Sequence, residues 1–145
     1  MTELLYPRHE IIFENAYASL IYYPEQKLIH HKFHQPLQGQ PLRDVLNAGS
    51  DVLDQRGATK WLSDDRNNSG LTPEDADWAN QDWSPRTIRA GWKYWALVVP
   101  EAVAARFSMQ RPFDRAFSEG LRIAAFVNPN EAKEWLESVQ PEPPA

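Results

Sequence analysis

The period of the hydrophobic pattern changes near residue 40. Before it, short β-type segments occupy residues 10–15, 18–23 and 27–33, the last two separated by Pro24-Glu25-Gln26. Tyr, Ile and Phe suit a pleated, half-buried surface, and a Pro-containing loop this short joins antiparallel neighbours. The chain is therefore expected to open with an antiparallel hairpin. From Leu42 onward, Leu42, Val45, Leu46, Gly49, Val52 and Leu53 fall on one stripe of an α-helix, and Gly57 stands where a left-handed cap ends it.

Strand and helix patterns then alternate. Residues 59–63 read as a buried strand and 72–83 as a helix that Ser84-Pro85 caps anew or kinks before Gly91. Residues 93–99 form the most apolar strand, stopped by Pro100. Residues 101–120 predict a helix in two pieces, because Pro112 removes an amide donor, with Phe113, Ala116 and Phe117 facing inward in the second piece. Residues 121–127 give the last strand, and Asn128-Pro129-Asn130-Glu131 starts the last helix, which turns Ala132, Trp135, Leu136 and Val139 inward. Strands that alternate with helices imply parallel pairing through right-handed crossovers. The expected fold is α/β: a mixed β-sheet with an N-terminal antiparallel hairpin followed by β-α-β-α-β-α crossovers. Residues 1–9 read as an N-terminal extension, 10–139 as one domain and 140–145 as a flexible Pro-rich tail.

Composition narrows the classes of function. The 145 residues suit one domain, with apolar and charged fractions of 42% and 24% that are ordinary for a globular chain. A formal net charge of −5 offers no broad positive field for nucleic acid or anionic lipid. The absence of cysteine excludes disulfides, thiolate metal sites and a Cys nucleophile. The N-terminal residues lack the pattern of a signal peptide, and no apolar run is long enough to span a bilayer, so a cytoplasmic protein without membrane insertion is expected.

Chemistry concentrates in the stretch DDRNNSGLTPED, residues 64–75. Thr72, Pro73, Glu74 and Asp75 have a local explanation as N-cap, first-turn proline and dipole-facing carboxylates. Asp64, Asp65, Arg66, Asn67 and Ser69 do not, and they sit at the carboxyl edge of a central parallel strand, where open α/β sheets gather ligand loops. They form the candidate binding or regulatory loop. Asp65, Asn67, Ser69 and Gly70 mimic the start of a calcium loop, but Ala76 stands where the closing Glu belongs, so no metal is expected. His30, His31 and His34 read as a solvated hairpin face, since His30 and His31 point to opposite sides of a strand and cannot converge. Of six Trp, Trp61, Trp95 and Trp135 are expected in the core, Trp83 and Trp92 are less committed, and Trp78 is a candidate interface residue. No Gly-rich nucleotide loop, nucleophile elbow or kinase motif is present, so no catalytic residue and no cofactor are assigned.

The element order, carried by YYPEQKLIHHKF as hairpin, KWLSDDRNNSGLTPEDADW, GWKYWALVVP and NPNEAKEWL, resembles the bacterial STAS-like (SpoIIAA-like) domains over residues 10–139. Their relatives include the anti-sigma-factor antagonists and, more distantly in shape, the lipid-binding Sec14 domains. The resemblance implies a SpoIIAA-like fold and a regulatory Ser in the loop after a central strand. Ser69-Gly70 is the one Ser-Gly pair there, although Asn67-Asn68 replace the family's Asp-Ser before it. Three functions are carried forward. The first is a non-enzymatic regulatory or protein-interaction module with a protein partner or self-association. The second is a carrier of a small apolar or lipid-like ligand, and the third is a hydrolase using the loop carboxylates.

Overall fold

The computed structural model describes residues 3–68, 70–109 and 120–139. Ser69, the second helical piece with Phe113, Ala116 and Phe117, and the 140–145 tail lie outside the described residues. Six strands form one sheet in which each pairs with its neighbour in sequence: β1 (Glu10–Glu14), β2 (Ala18–Tyr23), β3 (Leu28–Phe33), β4 (Lys60–Asp64), β5 (Tyr94–Val98) and β6 (Arg122–Phe126). The pairs β1-β2 and β2-β3 are antiparallel, and β3 through β6 run parallel. The expected mixed α/β sheet with its N-terminal hairpin is what forms.

Parallel strands laid down in sequence order, each crossing over with the same hand, must put their connections on one face. Helix α1 (Gln40–Arg56), the segment α2 (Pro73–Trp78), a π-helical turn (Ala79–Trp83), α3 (Ser84–Arg89) and α4 (Glu101–Met109) accordingly share one apolar cluster with the sheet. The stripe Leu42, Val45, Leu46, Gly49, Val52 and Leu53 is buried there, and Gly57 caps α1 in the left-handed conformation at φ 68°. Gly49 is required by contact: a Cβ built on it would run into the Trp61 ring at Cη2 and Cζ2. The second face is covered by α5 (Pro129–Ser138), whose Ala132 and Leu136 pack on Leu62, Tyr94, Ala96 and Val98. The N-terminal extension returns to this face through Leu5 and Tyr6, and the Tyr6 hydroxyl donates to Glu137 at 2.9 Å.

Three local readings change. Ser84 does not cap a helix; it continues the helical backbone and its Oγ is buried without a partner among the described residues. The ladder instead widens into the π turn, with Ser84 N–H bonded to Ala79 O, immediately before Pro85, which has no N–H to offer. Trp83 and Trp92 are buried as fully as Trp61 and Trp95, and the four rings contact one another at centroid distances of 4.8–6.2 Å. Trp135, expected in the core, is only half-buried, against Phe126.

Candidate functional site

Register across the parallel strands decides which side chains share a row. On the helix-covered face, His31, Ser63, Leu97 and Ala125 stand side by side on β3, β4, β5 and β6. The row one step toward the strands' amino ends, Ile29, Trp61, Trp95 and Ile123, is bulky at its centre. Two small residues, Ser63 and Ala125, therefore leave a hollow above a floor of indoles. Ala76 and Ala79 keep the opposing helical wall thin, and the result is a cavity of about 300 Å³. Phe33, Leu42, Leu46, Trp83, Val99 and Val103 complete its apolar lining. A largely apolar hollow with a few convergent polar groups, at the carboxyl ends of parallel strands, is the usual form of a small-molecule site.

The polar groups come from the end of β3 and the loop after β4. Asp65 accepts a hydrogen bond from His31 Nε2 at 2.8 Å, and Trp61 Nε1 donates to His31 Nδ1 at 2.9 Å. An indole N–H is a donor only, so Nδ1 carries no proton and the ring is held as the neutral Nε2–H tautomer. The His31 side chain is 2% exposed and that of Asp65 is 18% exposed. A turn closed by Asn68 N–H to Asp65 O at 3.1 Å brings Asn68 beside them. Its Oδ1 accepts from Leu37 N–H at 3.3 Å, while its Nδ2 is sealed off without a partner among the described residues. Trp95 Nε1 donates to Ser63 Oγ at 2.8 Å, which fixes the hydroxyl in the floor.

Strand alternation sends the other half of the loop to the opposite face. Asp64 is buried there and held by Arg66 in a two-point pair, Nε to Oδ1 at 2.9 Å and Nη2 to Oδ2 at 2.7 Å. The hydrogen bond to Asp64 raises the Arg66 pKa further. His30 shares this face, buried, with Nδ1 3.2 Å from the Tyr23 hydroxyl. Burial pushes its imidazole down to about 3, against the pull of Asp64. Lys32, Arg66, Lys133 and Glu3 surround a smaller polar hollow beside it.

The candidate loop is thus divided by the sheet: Asp65 with Asn68 on one side, Asp64 with Arg66 on the other. Asn67 supports neither cavity and donates from Nδ2 to Phe33 O at 3.3 Å. The histidines are not a solvated hairpin face, since helices and α5 cover the two sides of β3 and bury both His31 and His30; His34 contacts Ser19 Oγ at 2.8 Å. Trp78 is half-buried beneath the Arg43 guanidinium, 5.1 Å from its ring centroid. Asp75 does more than face a helix dipole, because it accepts from Gly39 N–H at 2.8 Å and from Arg43 Nε at 3.1 Å. Burial alone would raise its pKa; the Gly39, Arg43 and Thr72 hydrogen bonds outweigh that and hold it below the ordinary carboxylate value.

His31 and Asn68 are the site residues that sequence reasoning missed. The available signal for His31 was its position on the same strand face as Phe33, and for Asn68 its place three residues past the end-of-strand carboxylate Asp65. Among the described residues, no cluster of three or more His, Asp or Glu side chains is arranged to hold a metal ion, and no helix is long and apolar enough to cross a membrane. No protein-family model, curated protein or solved structure was found to match the chain.

Proposed function

We propose that this chain is a non-enzymatic, STAS-like ligand-binding module whose cavity takes a small, mainly apolar molecule. The observation that carries the reading is the hollow of about 300 Å³ over the His31-Ser63-Leu97-Ala125 row. Catalysis has less support, because a general base needs a free lone pair within reach of the substrate. Both His31 ring nitrogens are engaged, by Trp61 and Asp65, and both Asp64 oxygens are held by Arg66, so of these groups only Asp65 Oδ2 stays open, in a wall that is otherwise mainly apolar. Native mass spectrometry of the purified protein, followed by titration with propylbenzene read through tryptophan fluorescence, tests the reading. A retained small molecule or saturable quenching is expected; neither retention nor saturation at millimolar probe refutes it.

A regulatory or protein-interaction module is the second reading. It is favoured by the exposed apolar residues at the β1 edge of the sheet, Ile11 at 44% and Tyr17 at 53%. Sedimentation over a concentration series tests self-association through this edge: a dimer that Ile11→Lys disperses supports it, and a monomer throughout removes that form of it.

A further inference from the structure

We propose that the cavity selects ligands bearing an organic ammonium group, seated against Asp65. The inference rests on the ligand-cavity reading above and adds the head-group chemistry. A carboxylate in the wall of an apolar cavity is costly unless a positive charge compensates it. Asp65 has no such partner among the described residues. The bond it receives comes from His31, and Trp61 holds that imidazole in its neutral form by occupying Nδ1. The neighbouring cations are committed elsewhere: Arg66 is bound to Asp64 on the opposite face, and Arg43 to Asp75. No Lys or Arg is among the described residues that line the cavity.

Only Asp65 Oδ1 is used by His31, which leaves Oδ2 without a partner among the described residues in a side chain that is 18% exposed. An ammonium N–H directed at Oδ2 makes a charge-assisted hydrogen bond where water is scarce. The aromatic lining suits the same ligand, since Phe33, Trp83 and Trp95 can cover its apolar body. A carboxylic ligand would instead place like charge against Asp65.

The test uses four probes with one body: 3-phenylpropylamine, 3-phenylpropanol, 3-phenylpropanoate and propylbenzene, titrated into the full chain by calorimetry and tryptophan fluorescence. The amine is expected to bind at least about tenfold more tightly than the alcohol, and the acid most weakly. Asp65→Asn keeps an amide oxygen for His31 and should cost the amine about tenfold or more while changing the alcohol by less than about threefold. Circular dichroism and the melting temperature establish that this variant is folded; if it is not, the ranking on the unaltered chain decides alone. Equal binding of amine and alcohol, or preference for the acid, overturns the ammonium inference. If propylbenzene binds and the amine gains nothing over it, the head-group inference falls while the cavity reading stands. If none of the four binds, both fall.

Discussion

Acidification should destabilise this protein well above the pH at which carboxylates titrate, and His30 is the cause. The residue is 3% exposed, set in the face that α5 and the N-terminal residues cover, and its imidazole is depressed from 6.5 to about 3. Asp64 pulls the other way, while His31, Lys32 and Arg66 reinforce the depression. A base whose folded value lies below its unfolded value takes up its proton first in the unfolded chain. Stability therefore falls as pH falls from the unfolded value toward the folded one, and the loss is complete below about 3. At about 1.4 kcal/mol per pH unit, acidification from about pH 7.5 to about pH 5 should cost roughly 2 kcal/mol, a sizeable part of the ~5–15 kcal/mol that holds a domain together. Urea unfolding followed through the Trp61, Trp83, Trp92 and Trp95 cluster measures this at each pH. His30→Asn retains an acceptor near the Tyr23 hydroxyl and has no proton to gain. The wild-type and variant stabilities should diverge by about that amount across this window. Parallel curves over this window would refute the assignment of His30 as a buried neutral base.

Three further outcomes follow from the geometry. Gly49→Ala should destabilise by roughly 1–3 kcal/mol despite the better helix propensity of Ala, because its Cβ would overlap the buried Trp61 ring; a melting temperature at or above wild type would show that the indole yields freely. Asp75→Ala should cost about 2–4 kcal/mol in urea unfolding, since it orphans the Gly39 N–H and the Arg43 guanidinium. With its folded pKa below 3.8, the Asp75 contribution is present above that value and lost as pH falls through the lower folded one, so the gap between wild type and variant should close only in strong acid. Ala125→Leu fills the hollow from β6 and should weaken propylbenzene binding at least about tenfold with little loss of stability, measured by fluorescence titration and thermal melting; unchanged affinity would move the ligand elsewhere.

How far the sequence could be read depended on the range of the interaction. The α1 stripe, the Gly57 cap, the Thr72-Pro73 helix start and the Asn128-Pro129 start are local patterns, and each appears where the residues indicate it. Period-two alternation likewise separates His30 from His31 before any fold is known, but it does not separate Asp64 from Asp65, because the strand read from the sequence stops at Ser63 and the one formed runs on to Asp64. Nor does it say that both faces are covered. Burial of the two histidines depends on α1, the π turn and α5 arriving from distant parts of the chain. The pairing of His31 with Asp65 spans 34 residues, and only strand register brings it about. Trp83 shares a helical stripe with Ala76 and Ala79, whereas Trp92 lies past the end of the helix that stops at Arg89, where no period reports on burial and only the tertiary contacts with the other indoles decide it.

The strictly sequential strand order has a consequence for assembly. Each strand docks on the one synthesised just before it, so the sheet can grow with the emerging chain, and each addition closes only the loop of a single crossover. The hairpin supplies a local template, and the first helical layer can be laid down as translation proceeds. The other side must wait. Leu62, Tyr94, Ala96 and Val98 stay uncovered until α5 is made, and the Tyr6–Glu137 contact joins residues 131 positions apart. A nascent chain that stalls before residue 129 would carry a nearly finished sheet with one bare oily side, the species most in need of a chaperone.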